Sequence, residues 1–317
     1  MPRALVTGGA GFIGRHVVRE LLADGWQVTV LDDLSMGRAE HVPPAATLVI
    51  GDVRDPQQVA EAARGADVIL HLAAVVSVRA SVQHFYRDAE VNLMGTLNVL
   101  RAAVKQGVER VIFASSMAVY ADSPAPVPID ETYTTAPFSP YGIAKLAGEQ
   151  YTLLLGRQLG FDGVVLRYFN TYGPGQTFTP YVGVITIFVH RLLAGQPPVI
   201  FGDGEQKRDF VHVRDVARAT KLALQAPPGE VFNVGTGRAT SVNQIARMLI
   251  ERLAPHVQPE YAPPQPGELR YSIADINKAR RLLGYEPAYR LEESLDEVIA
   301  SCRAQVSRAN AERASAG

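Results

Sequence analysis

The segment Thr7-Gly8-Gly9-Ala10-Gly11-Phe12-Ile13-Gly14 constrains this 317-residue chain more than any other. It follows a β-rich run, Arg3–Thr7, and opens an apolar-periodic helix over 12–23. Each glycine has its own duty at such a junction. Gly8 allows a tight turn, Gly11 admits a pyrophosphate against the backbone, and Gly14 lets helix and strand pack closely. The helix start, with Phe12 and Ile13 in its cradle, presents unpaired N–H groups and partial positive charge to phosphate oxygens. The spacing is GxxGxxG rather than GxGxxG, and it lies at the first strand–helix junction. A dinucleotide-binding site is the expectation.

The first half of the chain supports it. Strand-like runs at 27–31, Thr47–Ile50, 67–72, 110–115 and 163–168 alternate with helical patterns at 59–63, 85–105 and 141–158. Such alternation implies an α/β fold, a parallel sheet covered on both faces. Its sites lie beyond the carboxyl ends of the strands, where the sheet order reverses. After about 170 the loops lengthen and gain Pro and Gly. The expected division is therefore a dinucleotide-binding domain over 1–170, a smaller α/β substrate lobe over 171–305 with some elements returning to the main sheet, and a flexible tail over 306–317.

Composition narrows the function classes. A 47% hydrophobic, 20% charged chain is well cored. A net charge of -1 recruits no nucleic acid. The single cysteine, Cys302, permits neither a disulfide framework nor a cysteine metal cluster. No apolar run reaches the roughly 20 residues that span a bilayer, and the opening residues lack a secretion signal. A cytoplasmic enzyme without metal or membrane partners is expected.

Strand ends supply the cofactor candidates. Asp32 and Asp33 close the second strand about 20 residues after the glycines, where an acid bonds the adenosine ribose and repels a 2′-phosphate; NAD is expected over NADP. Asp32 is the first choice, while Asp33 is a second contact or a solvated turn acid. Asp52 and Val53 end the third strand near the adenine, and Leu72, Ala73 and Ala74 end the fourth, leaving room for the cofactor.

Tyr141 and Lys145 are one helical turn apart and share a face. A phenol ordinarily ionises near pH 10, but an ammonium and the positive nicotinamide of NAD favour the phenolate. Tyr141 is thus the candidate general base, with Lys145 also placed to bond the nicotinamide ribose. Ser116, at the end of the fifth strand, is placed to bond the reacting oxygen and relay its proton.

Gly8–Gly14, Ser115-Ser116, Tyr141-Gly142-Ile143-Ala144-Lys145, Arg167-Tyr168-Phe169-Asn170 and Arg208-Asp209-Phe210-Val211-His212-Val213 resemble the extended short-chain dehydrogenase/reductases, over about 3–295. Within these, the chain is most similar to the UDP-hexose 4-epimerases. The resemblance implies a Rossmann-like doubly wound sheet, bound NAD contacted also by Tyr168, a UDP-hexose substrate and a homodimer through two helices per subunit. It implies Arg208, and Arg270 as a second candidate, on the diphosphate, Asn170 beside it, and the segment around Pro180, Tyr181 and Val184 over the base. Ser272 falls at a position bordering the sugar pocket, where a small residue leaves room for a 2-acetamido group; the alternative is a neutral loop serine. Other activities of the family stay open: glucuronate epimerases and decarboxylases, for which Arg79 is a possible carboxylate partner or else a surface residue away from the site, reductases, 4,6-dehydratases, and a silent NAD-binding protein. Dehydratases carry an Asp-Glu pair where Met117-Ala118 stands here, which disfavours that chemistry.

Overall fold

The computed structural model describes residues 1–179, 182–264 and 269–316, with backbone only at 309 and 312–316. Six strands, β1 (Arg3–Thr7), β2 (Gln27–Asp32), β3 (Thr47–Ile50), β4 (Val68–His71), β5 (Arg110–Ser116) and β6 (Asp162–Tyr168), pair in parallel in the order 3-2-1-4-5-6, and Val231–Val234 adds a seventh beyond β6. β1 pairs with β2 on one side and β4 on the other, so the order reverses there and a crevice opens beyond their carboxyl ends. The strands are near-continuous apolar runs because both faces are covered: Leu5, Val6, Leu31, Ile69, Leu70 and Phe113 are all buried.

One face is sealed by the helices Gly14–Ala23 and Val213–Leu222, through Val17, Val18, Leu21, Val216 and Ala219. The other is sealed by Pro56–Ala62 and Gly95–Gln106, through Val59, Ala62, Val99 and Leu100. A separate core under the lobe gathers Phe188, Ile245, Leu249, Leu295 and Val298.

Two expectations need correction. The helix expected over 85–105 is two helices, Phe85–Ala89 and Gly95–Gln106, joined by a π-helical stretch, Glu90–Met94. A 3.6-residue periodicity cannot register that widened turn, whose buried Asn92 is held by Val75 and Asp88. Two elements beyond 170 pack with the first part of the chain: Val231–Val234 joins the main sheet and Val213–Leu222 packs on the first helix. Finally, 306–316 is the end of the helix Leu291–Ala316 rather than a flexible tail. Gln305 donates to the Gln176 carbonyl and Arg308 pairs with Glu40 at 2.7 Å, tying that helix to both parts of the chain.

Candidate active site

The glycine loop folds as its spacing requires. Gly8 adopts φ +72°, and a Cβ there would meet the Ala73 backbone nitrogen at 2.7 Å, so β1 and β4 loops touch. A Cβ on Gly14 would fall onto the Gly8 carbonyl and within 2.7 Å of the Gly9 Cα. Gly11 donates to Gly8 at 3.1 Å, and Ile13 caps the helix with no side-chain partner. Among the described residues the Phe12 and Ile13 amides have no acceptor, so the cradle fits a pyrophosphate on this structure's own terms.

Asp32 is the last residue of β2 and is buried. Its carboxylate accepts from the Ala10 amide and the Leu34 amide, both at 2.9 Å, fastening the glycine loop to the β2 loop. Burial raises its pKa and those amides oppose the rise. Asp33 is exposed and accepts from the Ser35 amide and hydroxyl. Asp52 is ion-paired with Arg54 at 2.6 Å, which holds its carboxyl below the usual range. Val53 is buried against Gly95. Leu72, Ala73 and Ala74 directly follow β4 at the crevice.

The reacting groups converge because three elements end together. Ser116 closes β5 in register with Tyr168, the last residue of β6. Ser139 accepts from the Gly142 amide at 3.1 Å and Pro140 sets the first turn, so the helix Pro140–Leu159 begins just before Tyr141. Tyr141 is buried at that helix start, and the Ser116 hydroxyl acts on its phenol to favour ionisation. Lys145 donates to the Ala114 carbonyl at 2.9 Å and lies over the Phe113 and Tyr141 rings. The Tyr168 hydroxyl shares a hydrogen bond with Thr220 instead of projecting freely into the crevice.

Here the electrostatics differ from the sequence argument. Burial pushes the Tyr141 phenol up to about 12, with the Ser116 bond opposing it, and burial brings Lys145 down to about 8. The ammonium one turn away therefore does not by itself ionise the phenol, because desolvation acts on both groups.

Several residues around the site escape sequence inspection. His71 is enclosed between the Thr7 hydroxyl at 2.7 Å and the Thr96 hydroxyl at 2.9 Å, and burial lowers it to about 3. Glu149, on the Tyr141 face two turns beyond it, forms a buried bidentate pair with Arg167 at 2.9 and 2.7 Å and accepts from Ser115. Asp209, fully buried, accepts from Thr236, Gly237 and Ala274 and braces the strand behind Arg208. The i, i+4 ladder Tyr141, Lys145, Glu149 was the one signal available for any of them.

On the lobe side, Lys207–Arg208 pairs with Tyr271–Ser272, placing Arg208 opposite Ser272. Arg208 donates to the Lys207 and Arg270 carbonyls. Asn170 pairs with Phe210 in a two-stranded ladder and donates to the Asp209 carbonyl. Val184 opens the helix Val184–Leu193; Pro180 and Tyr181 lie outside the described residues, as do 266–268 before Arg270. Arg270 departs from expectation: it is exposed and forms a two-toothed pair with Asp203 at 2.7 and 2.9 Å. Such an exposed pair is worth little, so an anion competes for it readily. Arg79 lies over the Phe201 ring at 5.5 Å, at the facing edge of the lobe. Ser272 is buried and its hydroxyl has no partner among the described residues. No cluster of metal-binding side chains and no helix long and apolar enough to cross a membrane occurs among them.

Comparisons agree with this geometry. The chain is 39% identical to a UDP-glucose 4-epimerase of Mycolicibacterium smegmatis, over 94% of this chain and 97% of that protein. It superposes on the UDP-glucose 4-epimerase of Thermotoga maritima with UDP-glucose at a TM-score of 0.92, with 41% identity, covering 96% of this chain and 99% of the other. The Thermus thermophilus UDP-glucose 4-epimerase complex with NAD gives a TM-score of 0.89 and 38% identity, covering 95% and 99%. The family model for NAD dependent epimerases and dehydratases matches residues 4–235. The chain belongs to the NAD dependent epimerase/dehydratase family.

Proposed function

We propose that this protein inverts C4 of a UDP-hexose, interconverting UDP-glucose and UDP-galactose through a transient 4-keto sugar. The observation that carries it is the Ser116–Tyr141–Lys145 group at the mouth of a glycine cradle built for a dinucleotide. NAD, when bound, supplies a reversible two-electron acceptor. The Phe12 and Ile13 amides hold its pyrophosphate and Asp32 its adenosine ribose. Tyr141 removes the 4-OH proton, Ser116 steadies that oxygen, and Lys145 contributes positive charge. Arg208 grips the diphosphate, and Arg270 joins it by leaving Asp203. The sugar turns about that anchor while Tyr141 keeps the proton, so that the hydride taken up by bound NAD would return to the opposite face of C4 as Tyr141 gives its proton back to O4. Net redox is zero, so cofactor stays bound.

Ser272 extends the reading. Its buried, unpartnered hydroxyl and small volume beside Arg208 favour acceptance of UDP-N-acetylhexosamines as well. Exposed Val82 on the helix Val78–Gln83, Phe85 and Tyr86 on Phe85–Ala89, Met94 on the π-helical turn, and Ile143, Tyr151 and Leu154 on Pro140–Leu159 favour a homodimer through those elements. A sedimentation mass of one chain would contradict it. Cytoplasmic residence is part of the same proposal, since NAD and UDP-sugars are supplied there; recovery with a membrane or secreted fraction would count against it. The test of function is incubation with UDP-, dTDP- and GDP-sugars followed by chromatography. Interconverted UDP-hexoses without accumulating NADH support the proposal; loss of water or carbon dioxide from the sugar contradicts it.

A further inference from the structure

Two buried carboxylates, Asp88 and Glu149, act electrostatically on Lys145, and only one is committed. Glu149 is occupied by Arg167 and Ser115. Asp88 lies on the short helix Phe85–Ala89, packed against Pro140–Leu159, and is 2% exposed. Asn92, from the π-helical turn, donates to Asp88 Oδ2 at 2.8 Å, while Oδ1 has no partner. Lys145 has one hydrogen bond among the described residues, to Ala114. An uncommitted buried carboxylate is costly unless a charge answers it, and Lys145 is the cation whose field it shares.

We infer that Asp88 is a positioning residue for the reaction, the counter-ion that keeps the Lys145 ammonium charged inside the closed site and sets the pH range over which Tyr141 works. This rests on the proposed roles of Tyr141 and Lys145. The groups facing Lys145 are Tyr141 and Glu149 on its own helix, His71 from β4, and Asp88. His71 is neutral, and Arg167 balances Glu149. Asp88, whose carboxyl burial pushes up while Asn92 and Lys145 hold it down, supplies the remaining negative charge of the set. It acts in one direction on both reacting groups, holding Lys145 up and also holding the Tyr141 phenol up. The π-helical turn has its explanation here: it lets Asn92 grip Val75 and one Asp88 oxygen together, leaving the other oxygen free.

The test is the pH profile of sugar-driven reduction of bound NAD in the holoenzyme and in Asp88→Asn. Removing the charge lowers both ionisations, so the acid limb (Tyr141) and the alkaline limb (Lys145) move together to lower pH, each by about one unit. Asp88→Glu keeps both limbs in place. Should Asp88→Asn fail to fold, Asp88→Ser, smaller and open to water, is expected to show the same joint displacement. Lower amplitude with unmoved limbs in the neutral variants would mean that Asp88 only supports packing and would overturn the inference. Absence of any sugar-driven reduction in the unaltered holoenzyme would instead remove the underlying reading of Tyr141.

Discussion

Lys145 Nζ lies 5.9 Å from the centre of the Tyr141 ring and 5.0 Å from that of Phe113, with its hydrogen bond directed to Ala114 rather than to the phenol. Without cofactor the tyrosine is a buried neutral phenol, raised to about 12. Its ionisation depends on further positive charge entering the crevice. On the proposed mechanism, cofactor binding and activation of Tyr141 are coupled.

Replacing Tyr141 with phenylalanine keeps the ring in its buried place and removes only the proton carrier. The expected loss in turnover is about a hundredfold or more, with NAD still copurifying. Near-normal turnover would take Tyr141 out of the mechanism.

Ser272→Tyr fills the space beside Arg208. Turnover of UDP-N-acetylglucosamine is expected to fall about tenfold or more relative to UDP-glucose. Equal effects on both sugars, or no activity on the acetylated sugar beforehand, would show that this position does not gauge the 2-substituent.

Arg167→Ala strands a buried carboxylate, Glu149, and is expected to cost about 3 kcal/mol or more in unfolding free energy. The double change Arg167→Met with Glu149→Leu should recover most of it. Denaturant melts of both variants decide this; equal stability of the single variant and the parent would refute the ion pair's place in the core.

Acid should unfold the protein through its buried histidines. Burial holds His71 at about 3, and His16 and His212 at about 4, below their unfolded value near 6.5. The unfolded chain takes up these protons first, so this stability is complete above about pH 6.5 and is lost as pH falls toward 4 and then 3. In His71→Gln the slope of unfolding free energy between pH 6 and 4 should shrink by about 1.4 kcal/mol per pH unit. An unchanged slope would mean that His71 is not the neutral group described.

The parts of the site that depend on local spacing were legible in the sequence: the glycine loop, Asp32 and Ser116 at strand ends, and the Tyr141–Lys145 turn. Each is fixed by one element's period or one strand's length. Asp88, Asn92 and the Glu149–Arg167 pair were not, because their meaning lies in contacts between elements. The π-helical turn was invisible because periodicity assumes a uniform helix. The pairing of Arg270 with Asp203 in the neighbouring glycine turn was not legible either, because it too joins separate parts of the chain.

The central claim is that one carbon of the sugar is oxidised and reduced again without exchange. UDP-glucose carrying deuterium at C4 tests it most directly. The account predicts UDP-galactose with the label kept at C4 and no free NADH. Label moved to C6, lost to solvent, or retained in released NADH would contradict it.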